Sequence, residues 1–258
     1  MQRSLASIGS TFLDFLAATG SLVNFALLAL WYGVRPPYYP RQFLRQIIEI
    51  GYYSLPVVGL TALFTGMVLA LQTYTGFSRF AAESAIPNVV VLSVTRELGP
   101  VIAGLMVAGR IGAAIAAEIG TMRVTDQIDA LTTLSTNPYR YLVAPRLLAG
   151  LLMLPALVLV ADIIGVFGGY LVSSYKLGFN PANYVQRSVD FLQTADVAAG
   201  LAKAAVFGFI IALMGCYNGF HSRGGAQGVG AATTYAVVSA SILILVFDYV
   251  LTEAFFAR

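Results

Sequence analysis

Five stretches of this sequence are apolar enough, and long enough, to decide which kind of fold the chain can adopt. A helix that crosses a lipid bilayer needs about 20 largely apolar residues, and each stretch meets that length. Hydrophobic residues make up 58% of the chain and charged residues only 10%, which is too apolar for a water-soluble domain. The prediction is an all-α integral membrane protein with five spans, at roughly 52–74, 87–110, 147–174, 198–219 and 231–255.

The first 50 residues have a weaker apolar pattern. Residues 15–32 form a sixth candidate stretch, and upstream of it Leu5, Ile8 and Phe12 recur at helical spacing. This pattern predicts an N-terminal amphipathic helix that lies in the membrane interface rather than crossing it. The chain is therefore expected to form a single membrane domain over 1–258. Its parts are interfacial and elbow helices over 1–50 and a five-helix bundle over 52–255.

Arginine is distributed unevenly between the two sides of the predicted bundle. The N-terminus, the 111–146 segment and the 220–230 loop fall on one side, and basic loops favour the cytoplasm. That side holds nine basic residues: Arg3, Arg35, Arg41, Arg45, Arg110, Arg123, Arg140, Arg146 and Arg223. The other side holds five: Arg79, Lys176, Arg187, Lys203 and Arg258. The N-terminus is thus predicted to be cytoplasmic, and with five spans the C-terminus lies outside.

Composition and motifs exclude several kinds of bound group. The net charge of +3 is too small to indicate a nucleic-acid partner. Cys216 and His221 are the only cysteine and histidine, so the chain has no constellation for zinc or an iron–sulfur cluster. It also lacks the G-x-x-x-x-G-K-[ST] phosphate-binding loop. We therefore predict that this chain binds no metal or cofactor, and that any ATP it uses is bound by another subunit.

The predicted spans contain charged residues at Arg96, Glu97, Lys203 and Asp248. Each costs a few kcal/mol to insert into a membrane. At about 1.5 Å of rise per residue, all lie on the order of 9 to 14 Å below the outer surface. Two hypotheses fit this common depth, a structural ion-pair network or a polar floor beneath an outward-facing cavity that receives the headgroup of an amphiphile. Asp162, near the middle of the third span, fits neither clearly.

A short polar segment separates the second and third spans. From Val124 to Ser135 the pattern predicts a short amphipathic helix on the cytoplasmic surface, capped by Thr125 and stopped by Asn137-Pro138. Its apolar face is predicted to hold Val124, Ile128 and Leu131, and its polar face Asp126, Asp129 and Thr133. The pattern alone is equally typical of an ordinary surface helix.

One long run carries a resemblance to a known family. From TRELGP at residue 95 to LVAPR at residue 146, the sequence closely resembles the MlaE/YrbE permeases. GMVLALQTY at 66–74, GFN at 178–180 and FDYVLTEAFF at 247–256 also resemble that family. The permeases are the membrane subunits of ABC transporters that work with MCE-domain proteins on lipids.

The resemblance implies a function and a set of partners. The implied protein is a non-enzymatic permease of the bacterial inner membrane, with a periplasmic C-terminus. It would transport phospholipid and so maintain outer-membrane lipid asymmetry. It would act as a homodimer with cytoplasmic ATPase subunits, which hold ATP and magnesium, and a periplasmic MCE-domain protein.

The resemblance also implies roles for particular residues. The implied coupling helix to the ATPase includes Glu118, Met122, Arg123, Asp126, Gln127 and Asp129. The implied lipid cavity, at the dimer interface, is lined by Leu71, Tyr74, Glu97 and Leu98. Arg96, Lys203 and Asp248 match charged positions of the same membrane region.

Two other classes of function compete with this interpretation. An ion-coupled secondary transporter would carry protons on its buried carboxylates, but this leaves the acidic segment after the second span unexplained. An intramembrane enzyme would use Glu97 or Asp248 as acid or base, but no metal constellation or nucleophile–base set accompanies them.

Overall fold

Helices form all the regular secondary structure in the part of the chain that the structure describes. The computed structural model describes residues 2–80 and 83–256, and their side chains except at 2–12, 15, 80 and 83. The helices are α1 Gln2–Val34, α2 Pro40–Ile50, α3 Leu55–Phe77, α4 Ile86–Val124, α5 Gln127–Thr133, α6 Tyr139–Tyr175, α7 Pro181–Phe191, α8 Thr194–Phe220 and α9 Gly225–Phe256. Short 3₁₀ turns lie at Tyr52–Ser54, Ser78–Phe80 and Glu83–Ala85.

Six helical segments of the described chain are long and apolar enough to cross a membrane. Five of them correspond to the predicted spans, so the predicted class, an all-α membrane protein, is confirmed. The sixth is Leu16–Val34, the C-terminal part of α1. The side chains of Leu5, Ile8 and Phe12 lie outside the described residues, and the amphipathic, interfacial character of α1 stays a prediction.

The second and third spans extend beyond the bounds that the sequence indicated. The second was expected to end near 110, but α4 continues to Val124, since neither proline nor an isolated polar run interrupts 111–124. It does so through two π-helical turns, Val94–Leu98 and Ala108–Gly112. The third span begins at Tyr139, again with a π-helical turn, rather than near 147.

α1 meets the bundle only at one end of the spans in its described contacts. Tyr217, near the end of α8, donates from its hydroxyl to Ser21 Oγ at 3.1 Å. Phe25 packs on the rings of Tyr139 and Phe220, at 5.2 and 5.7 Å between centroids. Farther along α1, Tyr32 stacks on Tyr139 again. The segment of α1 from Ser21 to Tyr32 therefore contacts the end of α8 and the start of α6 at its two ends.

Glycines allow three of the spans to pack with their backbones close together. A Cβ on Gly66 of α3 would strike the carbonyl oxygen of Gly165 in α6, and one on Gly168 would strike that of Leu63. Gly150 of α6 and Gly208 of α8 face each other in the same way. Small residues let helices approach closely in this way. The core formed by α4, α6 and α8 places the charged residues of α4 beside α8.

α7 lies between the predicted third and fourth spans, in the 178–196 segment. Asn180 caps this helix, because its side-chain oxygen accepts from the backbone N–H groups of Ala182 and Asn183 at 3.0 and 3.3 Å. Pro181 then takes the first helical position, where its missing N–H costs nothing. The Asn-Pro pair was a usable start signal for this helix.

Candidate functional site

Lys203 is the centre of the polar site inside the bundle. Its Nζ lies 2.7 Å from Glu97 Oε2 and 3.0 Å from Asp248 Oδ1, so one ammonium joins carboxylates from α4 and α9. Thr252 Oγ1, 2.7 Å away, accepts a further hydrogen bond. The Lys203 side chain is 0% exposed, against 38% for Glu97 and 20% for Asp248. The structure therefore brings three of the four predicted charged residues together, with the cation innermost.

The backbone of α4 provides a fourth hydrogen-bond acceptor for this lysine, the carbonyl oxygen of Arg96. Glu97 lies in the π-helical turn Val94–Leu98, and such turns are frequent at functional sites. Pro100 follows, and it has no N–H to donate to the Arg96 carbonyl four residues earlier. Lys203 Nζ donates to that carbonyl oxygen at 3.2 Å. The RELGP sequence thus supplies both the carboxylate and a free backbone acceptor.

Arg96 does not belong to the Lys203 cluster, which corrects the prediction of one four-charge network. Its Nε and Nη2 donate to Asp196 Oδ1 at 2.8 and 2.6 Å. Asp196 is buried in the first turn of α8, where its other oxygen accepts from the backbone N–H of Gln193 at 3.2 Å. The Arg96 guanidinium also lies 4.1 Å from the centre of the Phe256 ring. Consecutive residues of α4 therefore bind different partners.

Asp196 was not singled out from the sequence, although a signal was present. Gln193 and Asp196 form a reciprocal capping box at the start of α8. A carboxylate in the first turn of a spanning helix, one helix away from an arginine at similar depth, was a candidate partner for that arginine.

Gly200 sets the distance between α4 and α8 at this site. A Cβ at this position would strike the Thr95 carbonyl oxygen, so only glycine allows the present approach of the two backbones. Lys203 lies one helical turn farther along α8. The contact at Gly200 therefore holds Lys203 within reach of the π-helical turn.

The four residues expected to line a lipid cavity lie at two different levels along the spans of the single chain. Leu98 lines a narrow cleft between α3 and α4 with Thr61 and Thr65, whereas Glu97 faces Lys203. Leu71 and Tyr74 lie farther along α3, and Tyr74 packs near Phe179, with 6.2 Å between ring centroids. At 1.5 Å per residue, Tyr74 is about 13 Å beyond the level of Thr65.

Asp162 of α6 takes no part in the Lys203 cluster. It is buried beside Gly99, where an added Cβ would meet its carboxylate, and its Oδ1 has no hydrogen-bond partner among the described residues. It also lines a cleft with Thr95 and Ser188.

The polar segment between the second and third spans is a turn followed by a helix. The predicted helix 124–135 shortens to Gln127–Thr133, because α4 includes Val124 and Asp126 adopts a left-handed conformation with φ of 56°. Asp126, rather than Thr125, is the N-cap residue, and neither side chain makes a capping hydrogen bond. Ile128 is buried as expected, while Asp126 and Gln127 are exposed.

The residues assigned to the coupling helix are therefore divided between α4 and α5. Glu118, Met122 and Arg123 belong to the end of α4, and Met122 packs against the core. Glu118 binds Arg146 of α6 at 2.7 Å, with the arginine buried and the carboxylate half-exposed. Arg123 Nη1 donates to Asp129 Oδ1 at 2.8 Å. The first ion pair joins the end of α4 to α6, and the second joins α5 to the end of α4.

Leu134, directly after α5, is an exposed apolar residue that the sequence pattern did not indicate. It is 74% exposed, beside the exposed polar side chains of α5. The predicted helix ran to Ser135, whereas the observed end of α5 at Thr133 leaves Leu134 beyond the helix and exposed. The exposed residues of this segment include Asp126, Gln127, Asp129 and Leu134, and we call these four the turn surface.

Comparison with known proteins gives a consistent family assignment. The family model described as Permease MlaE matches residues 43–254. A Rickettsia felis protein named "Probable ABC transporter permease protein" is 58% identical over 250 residues, covering 97% of this chain and 96% of the relative.

More distant relatives cover much of the chain as well. The Haemophilus influenzae "Intermembrane phospholipid transport system permease protein MlaE" is 34% identical over 258 residues, with 98% of this chain and 97% of the relative covered. The Arabidopsis thaliana chloroplast protein TRIGALACTOSYLDIACYLGLYCEROL 1 is 38% identical over 216 residues, which are 84% of this chain and 62% of that protein.

Proposed function

Because this chain belongs to the MlaE permease family, we propose that it moves phospholipid between the inner membrane and a periplasmic MCE-domain protein, and so maintains outer-membrane lipid asymmetry. The chain is a multi-pass inner-membrane permease of an ABC transporter, and it is a non-catalytic subunit whose ATPase is separate. That assignment sets aside the intramembrane enzyme. The phospholipid substrate is supported by the name of the Haemophilus influenzae relative.

One observation carries the lipid assignment, the half-exposed carboxylate of Glu97 in the interior of a spanning helix. Lys203 is fully buried behind it, so the pair presents a polar, charge-compensated surface outward. Charged groups within membrane spans face a bundle interior or a water-filled cavity and mark substrate pathways. A phospholipid headgroup can hydrogen-bond there while its acyl chains remain against apolar helix faces.

We further propose that the lipid cavity forms between two copies of the chain. Leu98 and Glu97 occupy one level of the spans, and Leu71 and Tyr74 occupy another nearer the far end of α3. A phospholipid is long enough to contact both levels, with its headgroup near one and its acyl chains near the other. A homodimer would bring the α3 and α4 faces of two chains around one cavity, as the family resemblance implies.

The turn surface is the proposed docking site for the ATPase, which binds ATP and magnesium. Asp126 is exposed and makes no described ion pair, whereas Asp129 is already bound to Arg123. Leu134, at the other end of α5, adds an exposed apolar side chain. An acidic and apolar surface on a short helix suits insertion into a groove of a partner protein.

The proposed orientation places the turn surface and the N-terminus in the cytoplasm and the C-terminus in the periplasm. Arginine bias supports it. The contacts of α1 support an interfacial helix, because Ser21, Phe25 and Tyr32 all meet the same ends of α6 and α8. At 1.5 Å per residue that part of α1 extends about 17 Å, so a helix parallel to the spans would meet different levels.

Mass spectrometry of the full-length protein purified from native membranes tests the function directly. We expect phospholipid, an ABC ATPase and an MCE-domain protein to co-purify with the chain. Leu71→Gln and Tyr74→Gln should greatly reduce the lipid without removing the ATPase, whereas Val68→Gln, an exposed position of the same helix, should retain it. Normal lipid in both variants would place the cavity elsewhere, and absence of an ATPase would instead favour ion-coupled transport.

A further inference from the structure

Arg140 is unlike the other partly buried cations of the described chain. Five basic side chains that are not fully exposed donate to a protein oxygen: Arg96, Arg110, Arg123, Arg146 and Lys203. The Arg140 guanidinium makes no hydrogen bond or ion pair with any described residue, and its Nε is buried without a partner. Native structures pair such groups, so this one requires an explanation.

The side chain of Arg140 lines a cavity of about 210 Å³. The cavity lies between the end of α1, the start of α2 and the first turns of α6, and its walls are almost wholly apolar or aromatic. They include Pro37, Tyr38, Phe43, Pro145 and Leu148. The Arg140 guanidinium carbon lies 5.7 Å from the centre of the Tyr32 ring. One unpaired cation in an apolar cavity favours a ligand with an anionic head and an apolar body.

The position of the cavity indicates which amphiphile reaches it. It lies at the arginine-rich end of the bundle, opposite the end of α3 that carries Leu71 and Tyr74. Around it, Trp31, Tyr38 and Leu44 are exposed. Tryptophan and tyrosine at the ends of spans mark the level of lipid headgroups. The source of an anionic head at that level is the membrane itself.

We propose that this cavity binds the phosphate group of a membrane phospholipid, with the Arg140 guanidinium as its ligand. A guanidinium offers parallel N–H donors that match phosphate oxygens, and the phosphate supplies the missing counter-charge. The acyl chains lie against Pro145, Leu148 and the exposed rim. This lipid is resident and separate from the transported one, and it joins the α1–α2 connection to the start of α6.

Native mass spectrometry of the full-length protein, washed free of lipid in detergent, tests the site. The probes are phosphatidylglycerol, diacylglycerol with the same acyl chains, and glycerol 3-phosphate. Wild type should bind phosphatidylglycerol about tenfold more tightly than Arg140→Gln, the loss of one charge-assisted phosphate contact. Arg223→Gln removes the same charge from an exposed position at the same end and should bind like wild type. Diacylglycerol should not show the Arg140 dependence.

A second variant covers the case in which Arg140→Gln does not fold. Leu148→Trp fills the cavity without changing the charge, and it too should weaken phosphatidylglycerol binding. Equal binding by wild type and either folded variant would overturn the proposal. Arg140-dependent binding of glycerol 3-phosphate as tight as that of the lipid would overturn the membrane source. Leu71→Gln should leave this binding intact, so failure of the transport cavity and failure of this site are distinguishable.

Discussion

Lys203 Nζ lies 2.7 Å from Glu97 Oε2 although 106 positions separate the two residues in the sequence. Four oxygens surround this ammonium, which has three hydrogens to donate. The second carboxylate, Asp248, comes from the last span. The cation therefore ties α4, α8 and α9 together at one level, and it compensates carboxylates that would otherwise repel each other.

Replacing Lys203 tests that compensation. Lys203→Ala leaves Glu97 and Asp248 without their cation, and should lower the free energy of unfolding by about 3–5 kcal/mol. The double variant Lys203→Ala/Asp248→Ala should be more stable than Lys203→Ala alone, because it removes one uncompensated carboxylate. Lys176→Ala, at the other lysine of the chain and exposed, is the control. Strictly additive effects in thermal unfolding in detergent would show that Lys203 and Asp248 do not interact.

Gly200→Ala tests the approach of α8 to α4. The added Cβ would strike the Thr95 carbonyl oxygen, so the helices must separate and Lys203 loses its reach to Glu97. Overpacking of this kind costs about 1–3 kcal/mol, and we also expect reduced lipid transport. Gly109→Ala places a Cβ in open space on a spanning helix and is the matched control. A melting temperature equal to that of the control would mean that the helices already have room.

The turn surface is tested by reversing its charge. Asp126→Arg/Asp129→Arg should release or uncouple the ATPase while the permease still inserts into the membrane. The swap Arg123→Asp/Asp129→Arg re-forms the ion pair and leaves Asp126 in place, so it should retain more ATPase. The Arg123–Asp129 pair is largely exposed and contributes only about 0–1 kcal/mol, so lost stability does not explain a lost complex. Full ATPase activity in an unchanged complex would exclude docking at this surface.

The ion pair between Glu118 and Arg146 should respond asymmetrically to mutation. The Arg146 side chain is 5% exposed and that of Glu118 43% exposed. Glu118→Ala leaves a buried cation whose one remaining acceptor among the described residues is the Leu142 carbonyl, and should cost about 1–3 kcal/mol. Arg146→Met leaves a carboxylate that water can reach and fills the buried space with an apolar side chain, so it should cost less. Chemical denaturation in detergent measures the free energy of unfolding of both variants. A larger loss of stability for Arg146→Met than for Glu118→Ala would contradict this expectation.

For the charged residues, depth in the membrane could be predicted from the sequence, but the pairing of each side chain could not. Their common depth followed from constant helical rise, and Lys203 does contact Glu97 and Asp248. Arg96 was placed in the same cluster because depth says nothing about rotation around a helix axis. In the structure the π-helical turn directs Arg96 and Glu97 to different partners, and Asp196 takes the arginine.

The sequence by itself determined the membrane class, five of the six candidate spans and the absence of a nucleotide-binding loop, because each depends on local runs of residues. Tertiary structure decided the extension of α4 through Glu118 and Arg123, the exposure of Leu134 and the partner of Arg96. It also left the Arg140 guanidinium without a hydrogen bond or ion pair to any described residue. These outcomes depend on which faces of distant helices meet, and backbone contacts such as Gly200 with Thr95 fix that arrangement only in the folded bundle.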